Sequence, residues 1–168
     1  MSSELFNLIT NSIIIGVGAT IVMDVWALIL QRIGITSLNY ALVGRWIIYM
    51  SSGRFRHNDI TTAQPIKTEL KIGWVAHYII GIIFAAALIL LTGNEWLNTP
   101  SVQPAILFGI LTVCFPFFLM QPGMGFGIAA AKTPTPNIAR LRSLMTHLIF
   151  GLGLYLSAFL KSFFNTLG

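Results

Sequence analysis

The sequence predicts an all-α integral membrane protein. It is read as a four-transmembrane-helix bundle with its termini outside and a cytoplasmic interfacial helix between helices 1 and 2. Three observations predict this. Charged residues make up only 9% of the chain, against roughly 25% in soluble domains. Hydrophobic residues reach 55% and gather into four runs near the ~20 residues that a membrane-crossing helix needs. Nine of the ten Lys and Arg residues fall in just two of the connections. A soluble chain of this length has no interior large enough for so much apolar surface, whereas a bilayer is itself an apolar solvent.

The first span is predicted at about 5–30. No Lys or Arg precedes its apolar run, as a secretory n-region would require, and the run continues to Ile33. It is therefore read as an uncleaved span. A cytoplasmic loop, 33–71, follows and carries Arg45, Arg54, Arg56, Lys67 and Lys71. Within it, Leu38, Leu42, Trp46 and Tyr49 recur at helical spacing, which predicts a short interfacial helix over Leu38–Met50. The second span is expected at about 72–91 and the third at about 104–131. Their connection, TGNEWLNTPSVQ, has no base and one acid, Glu95. Lys132, Arg140 and Arg142 precede a fourth span at about 144–164. By the positive-inside rule both basic connections are cytoplasmic and both termini are outside. In a bacterial inner membrane that side is the periplasm, and the whole chain, 1–168, is read as a single membrane domain. The net charge of +5 follows from this topology, so no nucleic-acid partner is expected; membrane lipid is. Trp26, Trp46, Trp74 and Trp96 fall near the expected interfaces and read as an aromatic belt. The lone cysteine, Cys114, lies in an apolar run and is expected to be a small buried residue.

Ionisable groups inside apolar segments are expensive, so each one is a candidate functional or paired residue. Asp24, His77 and His147 are such groups. Asp24 lies eight residues before Arg32, His77 six after Lys71 and His147 five after Arg142. At the helical rise these positions lie about 7–12 Å below the cytoplasmic boundary. Gln121 and Met124 lie eleven and eight residues before Lys132, so all four spans bring a polar or soft group toward one layer. Gly73, His77, Gly81 and Ala85 repeat every fourth residue, as do Ser143, His147, Gly151 and Tyr155, and Gly16, Thr20 and Asp24. Small residues mark faces where helices pack closely, so these polar groups are expected to point into the bundle. The third span reads CFPFFLMQPGMGFGIAAAK. Pro116 and Pro122 each remove a backbone donor, and Gly123 loosens the helix further, which predicts a helix break at the depth of the histidines. The match of HYIIG (77–81) to HLIFG (147–151) hints at two related helix pairs in parallel orientation.

Four readings of this cluster stand open, one of them a membrane enzyme without a metal. Asp24 and a histidine would form a closed hydrogen-bonded network. Alternatively, the group binds a proton or a ligand, since His titrates near neutral pH. Or His77, His147 and Asp24 are metal ligands, with the two histidines also suited to haem; no HxxxH, ExxH or CxxC pair supports that reading. GRFRH (53–57) and KTPTP (132–136) form basic, turn-rich cytoplasmic stretches, read mainly as topology determinants or contacts to anionic lipid.

Several motifs together resemble a bacterial family of multi-span inner-membrane proteins of unknown function. They are ATIVMDVW (19–26), VGRW (43–46), GRFRH (53–57), GWVAHYIIG (73–81), QPGMGFGIAAAKTPTP (121–136) and RLRSLMTHLIFGLGLYL (140–156). The resemblance spans nearly the whole chain. It implies an inner-membrane location and supplies no catalytic residue. The functional expectation is therefore non-enzymatic: a permease-like or ligand-binding protein with Asp24, His77, Gln121 and His147 as its polar centre and a small molecule or ion as ligand. A homodimer through the small-residue faces would complete a transport path. The alternatives are a metal- or haem-binding redox protein and an accessory membrane subunit.

Overall fold

A computed structural model describes residues 3–35 and 38–167. Among them there is no strand. The chain forms α1 (Ser3–Arg32), α2 (Tyr40–Ser51), a 3₁₀ turn (Ile60–Thr62), α3 (Glu69–Asn98) and α4 (Val102–Leu111). A π-helical turn (Pro116–Met120), the short α5 (Gln121–Met124), a second 3₁₀ turn (Ile128–Ala130) and α6 (Pro136–Leu167) follow. Four stretches are long and apolar enough to cross a membrane: Ser3–Arg32, Glu69–Asn98, Val102–Met124 and Pro136–Thr166.

Glycine decides how these helices meet. A Cβ at Gly16 would land on the backbone of Gly81 and Ile82, so α1 and α3 touch backbone to backbone. The Thr20 hydroxyl fills the notch at Gly81 and donates to the Gly16 carbonyl at 2.7 Å. On the other side of the bundle, Gly109 of α4 faces Gly151 of α6 in the same way. Gly153 of α6 meets Ala19 of α1 and joins the two pairs. The shared core is Ile15, Ala19, Ala85, Leu88, Phe150, Leu154 and Ala158. The outward faces, with Ile21, Leu28, Ile83, Leu90, Leu107 and Phe159 among them, stay exposed and suit lipid.

The departures from the expected spans have local causes. The second span breaks at Gly93 (φ 77°), close to its expected end, and a further turn tucks Trp96 and Leu97 into the core. The third stops at Met124 instead of 131 because Gly125 and Gly127 take positive φ, followed by Ala129 (φ 47°) and Ala130 (φ 59°). Helix α6 starts at Pro136, eight residues before the apolar run, since its first turns lie outside that run. Helix α2 forms close to the expected place, N-capped by Asn39, which accepts from the Ala41 amide at 3.0 Å. It does not lie free on the surface, however. Gly44 of α2 and Gly73 of α3 meet against the carbonyls of Glu69 and Tyr40. Arg45, buried, donates to both Glu69 oxygens at 2.7 and 2.9 Å and to the carbonyls of Ile60 and Ala63 at 3.1 and 2.9 Å.

Two residue-level expectations are corrected. Trp46 and Trp96 are only 8% and 5% exposed; their indole N–H groups donate to Phe55 O and Ser101 O, so they are core residues with a satisfied polar tip, not belt residues. Cys114 is exposed because it sits on the outward side of the break before Pro116.

Candidate functional site

Close packing of α1, α2 and α3 brings four polar side chains to one point. The Asp24 Oδ1 atom lies 3.0 Å from His77 Nε2 and accepts from Tyr40 OH at 3.4 Å. Its Oδ2 accepts from Tyr78 OH at 2.8 Å. Tyr40 OH is also 2.9 Å from His77 Nε2. A single imidazole nitrogen thus faces two oxygens. If Nε2 carries the hydrogen, it donates to Asp24. If it does not, its single lone pair accepts either from Tyr40 OH or from a proton on the Asp24 carboxyl. One proton therefore has two places to reside. Burial, and then the neighbouring Asp24, hold the Tyr40 phenol well above its usual range, which keeps it a donor. Around this point Tyr40, Trp74, His77 and Tyr78 stack and tilt against one another at centroid distances of 4.4–6.4 Å.

His147 and Gln121 stand elsewhere. The Thr112 hydroxyl donates its only hydrogen to the Gly109 carbonyl at 2.5 Å. It must then accept from His147 Nδ1–H at 2.7 Å, which leaves Nε2 with a free lone pair. Gln121 is buried; its Nε2 makes a long 3.4 Å bond to Ser143 Oγ, and its Oε1 has no partner. Ser143 is one turn before His147 on α6, so these groups form a second polar station between the broken span and α6. Asp24 and His77 meet on the α1–α3 side, while Gln121 and His147 find their partners, Ser143 and Thr112, on the α4–α6 side. Among the described residues, no three His, Cys, Asp or Glu side chains converge as metal ligands.

The irregular part of the third span holds Pro116 in the π-helical turn and Pro122 and Gly123 in the short α5. With two prolines withholding donors, the ladder widens and the Gln121 amide donates to Pro116 O. The loop carrying GRFRH docks on the break. His57 N–H donates to Gly123 O at 2.9 Å, the Trp46 indole covers Gly123, and the His57 and Asn58 carbonyls occupy the space a Cβ at Gly125 would need. Arg140 Nε donates to Ala129 O at 2.8 Å. His57 itself is buried against Tyr49, with neither ring nitrogen bonded. Burial and the nearby Arg54 hold its pKa below the ordinary value.

Tyr40, Tyr78 and Thr112 are site residues that sequence reasoning missed. Tyr78 follows His77 directly and lies off the fourfold stripe that marks the bundle-facing side of α3. Tyr40 opens α2, whose docking on α3 depends on two glycines far apart in sequence. Thr112 lies three residues after Gly109, at the point where α4 loses its ladder.

Fold and polar centre define a multi-pass membrane protein with four apolar helices. The family described as "Protein of unknown function (DUF2938)" matches residues 13–161, and the chain belongs to that family. No curated protein and no solved structure matches it.

Proposed function

We propose that this chain is a permease-like or ligand-binding protein of the bacterial inner membrane, both termini periplasmic, whose working centre is Asp24 with His77, Tyr40 and Tyr78. The observation that carries the reading is the Asp24–His77 contact at 3.0 Å, inside two spans, with no Lys or Arg ion-paired to the carboxyl group among the described residues. An intramembrane carboxyl held by groups that share a proton is suited to changing its protonation when a ligand arrives or leaves. The groups facing it are Tyr40 from α2 and His77 and Tyr78 from α3. Gln121 and His147 Nε2 form a second station beside the break, where irregular backbone is tolerated because protein covers it.

Infrared titration of the purified protein in lipid tests this. The expected result is a carboxylic C=O band that rises and falls with pH, vanishes in Asp24→Asn and moves in His77→Gln. A folded wild type with no Asp24-dependent band at any pH would refute a proton-linked centre.

A further inference from the structure

The Asp24 site has an unbalanced charge inventory. Among the described residues its partners, Tyr40 OH, Tyr78 OH and His77 Nε2, include no permanent cation. Arg45 on α2, a buried base, gives four hydrogen bonds to Glu69 and two carbonyls. Neutral donors soften the cost of a carboxylate at membrane depth but do not cancel its charge. Tyr40, Tyr78 and His77 meet it through their polar atoms, and Trp74 packs on Tyr40 with ring centroids 4.4 Å apart. Rings attract cations at their faces, and the attraction grows where water is excluded.

The site can also be reached. The Asp24 side chain retains 16% of its accessible surface. Trp74 is 38% exposed, and its neighbours on the outer side of α3, Val75 and Ile79, are 59% and 50% exposed. The carboxyl therefore lies just behind a lipid-facing aromatic wall. The 3.4 Å Tyr40 bond is the longest the carboxyl makes and the first to yield.

The geometry points to Asp24, Trp74, Tyr40 and Tyr78 as the binding site for a monovalent organic cation with an apolar body, admitted sideways from the bilayer. A hard divalent metal needs six or more oxygens and finds one carboxylate here. A small hydrated ion would gain little from four rings, whereas an amphiphilic cation gains from both carboxylate and rings. This rests on the reading of Asp24 as the working centre.

Equilibrium dialysis of tetraphenylphosphonium against the full chain in detergent tests it. The probe is permanently charged, so its own protonation cannot intervene. Saturable binding is expected, lost at least tenfold in Asp24→Asn and ~5-fold in Trp74→Leu, in line with cation–π contributions. The neutral analogue triphenylphosphine oxide is expected not to compete. Three results would each overturn the inference: no saturable binding by folded wild type, unchanged binding in folded Asp24→Asn, or equal competition by the neutral analogue. Should Asp24→Asn not fold, unchanged binding in Trp74→Leu, whose side chain is partly exposed, overturns it instead. An intact Asp24 infrared titration without cation binding would remove this inference and leave the proton-linked centre standing; loss of both removes both.

Discussion

Replacing Arg45 with Met removes the cation from a buried ion pair and leaves Glu69 alone. Arg45 is 8% exposed in its side chain and Glu69 13%, so water cannot readily take the cation's place. The stranded carboxylate has one escape, which is to take up a proton. From an ordinary Glu pKa of about 4.3, doing so at neutral pH costs about 3.7 kcal/mol. That value falls within the range of about 3–5 kcal/mol found when one partner of a buried pair is removed. The carbonyls of Ile60 and Ala63 lose their donor as well. We expect Arg45→Met to lose about 3–4 kcal/mol near pH 7, measured by helical content during SDS unfolding in mixed micelles. The loss shrinks toward ~1 kcal/mol near pH 5, where protonating Glu69 becomes cheap. Arg45→Met with Glu69→Leu is expected to be more stable than Arg45→Met alone, since no charge is stranded. A single-variant loss below ~1 kcal/mol that does not change with pH would refute the reasoning.

Other outcomes follow from the same structure. Gly109→Val would drive a side chain into the backbone of Gly151 and His147; a loss of more than ~2 kcal/mol is expected. Gly53→Ala meets nothing within 4 Å and bears only its positive φ of 81°, so its loss stays near ~1 kcal/mol; equal losses in the two variants would contradict the packing account. His57 is held neutral in the fold, with its pKa below the unfolded value. Its stabilising share is therefore complete above about pH 6.5 and is lost as pH falls below that, by at most ~1.4 kcal/mol per pH unit. His57→Phe is expected to flatten that part of the stability profile; an unchanged slope would contradict the assignment. In single-tryptophan variants, brominated lipid is expected to quench Trp74 strongly and Trp96 little, since they are 38% and 5% exposed. Equal quenching would place the α3 face wrongly.

Much of this architecture was legible from residues alone, because a membrane writes its demands into composition. Four apolar runs locate the spans, and the glycines at 16, 81 and 151, marked by their fourfold spacing, sit where helix backbones touch. Asp24 and His77 stood out because ionisable groups are scarce in such runs. What stayed hidden depends on contacts distant in sequence. Tyr40 is an ordinary interfacial tyrosine until Gly44 and Gly73 let α2 lie on α3. Thr112 becomes the partner of His147 only because α4 ends there. Trp46 and Trp96 look like belt residues until the 53–58 loop and the Gly93 break fold over them. The left-handed Ala129 and Ala130 have no signature, since alanine favours helix; a tertiary contact, Arg140 to Ala129 O, holds the backbone there.

The most direct test of the central claim is ¹⁵N NMR of imidazole-labelled protein across pH, comparing wild type with Asp24→Asn. If Asp24 and His77 are hydrogen-bonded, the His77 Nε2 resonance moves in the variant and the His147 Nδ1 resonance, set by its bond to Thr112, does not. A His77 Nε2 resonance unchanged by Asp24→Asn, in a folded protein, would contradict the account.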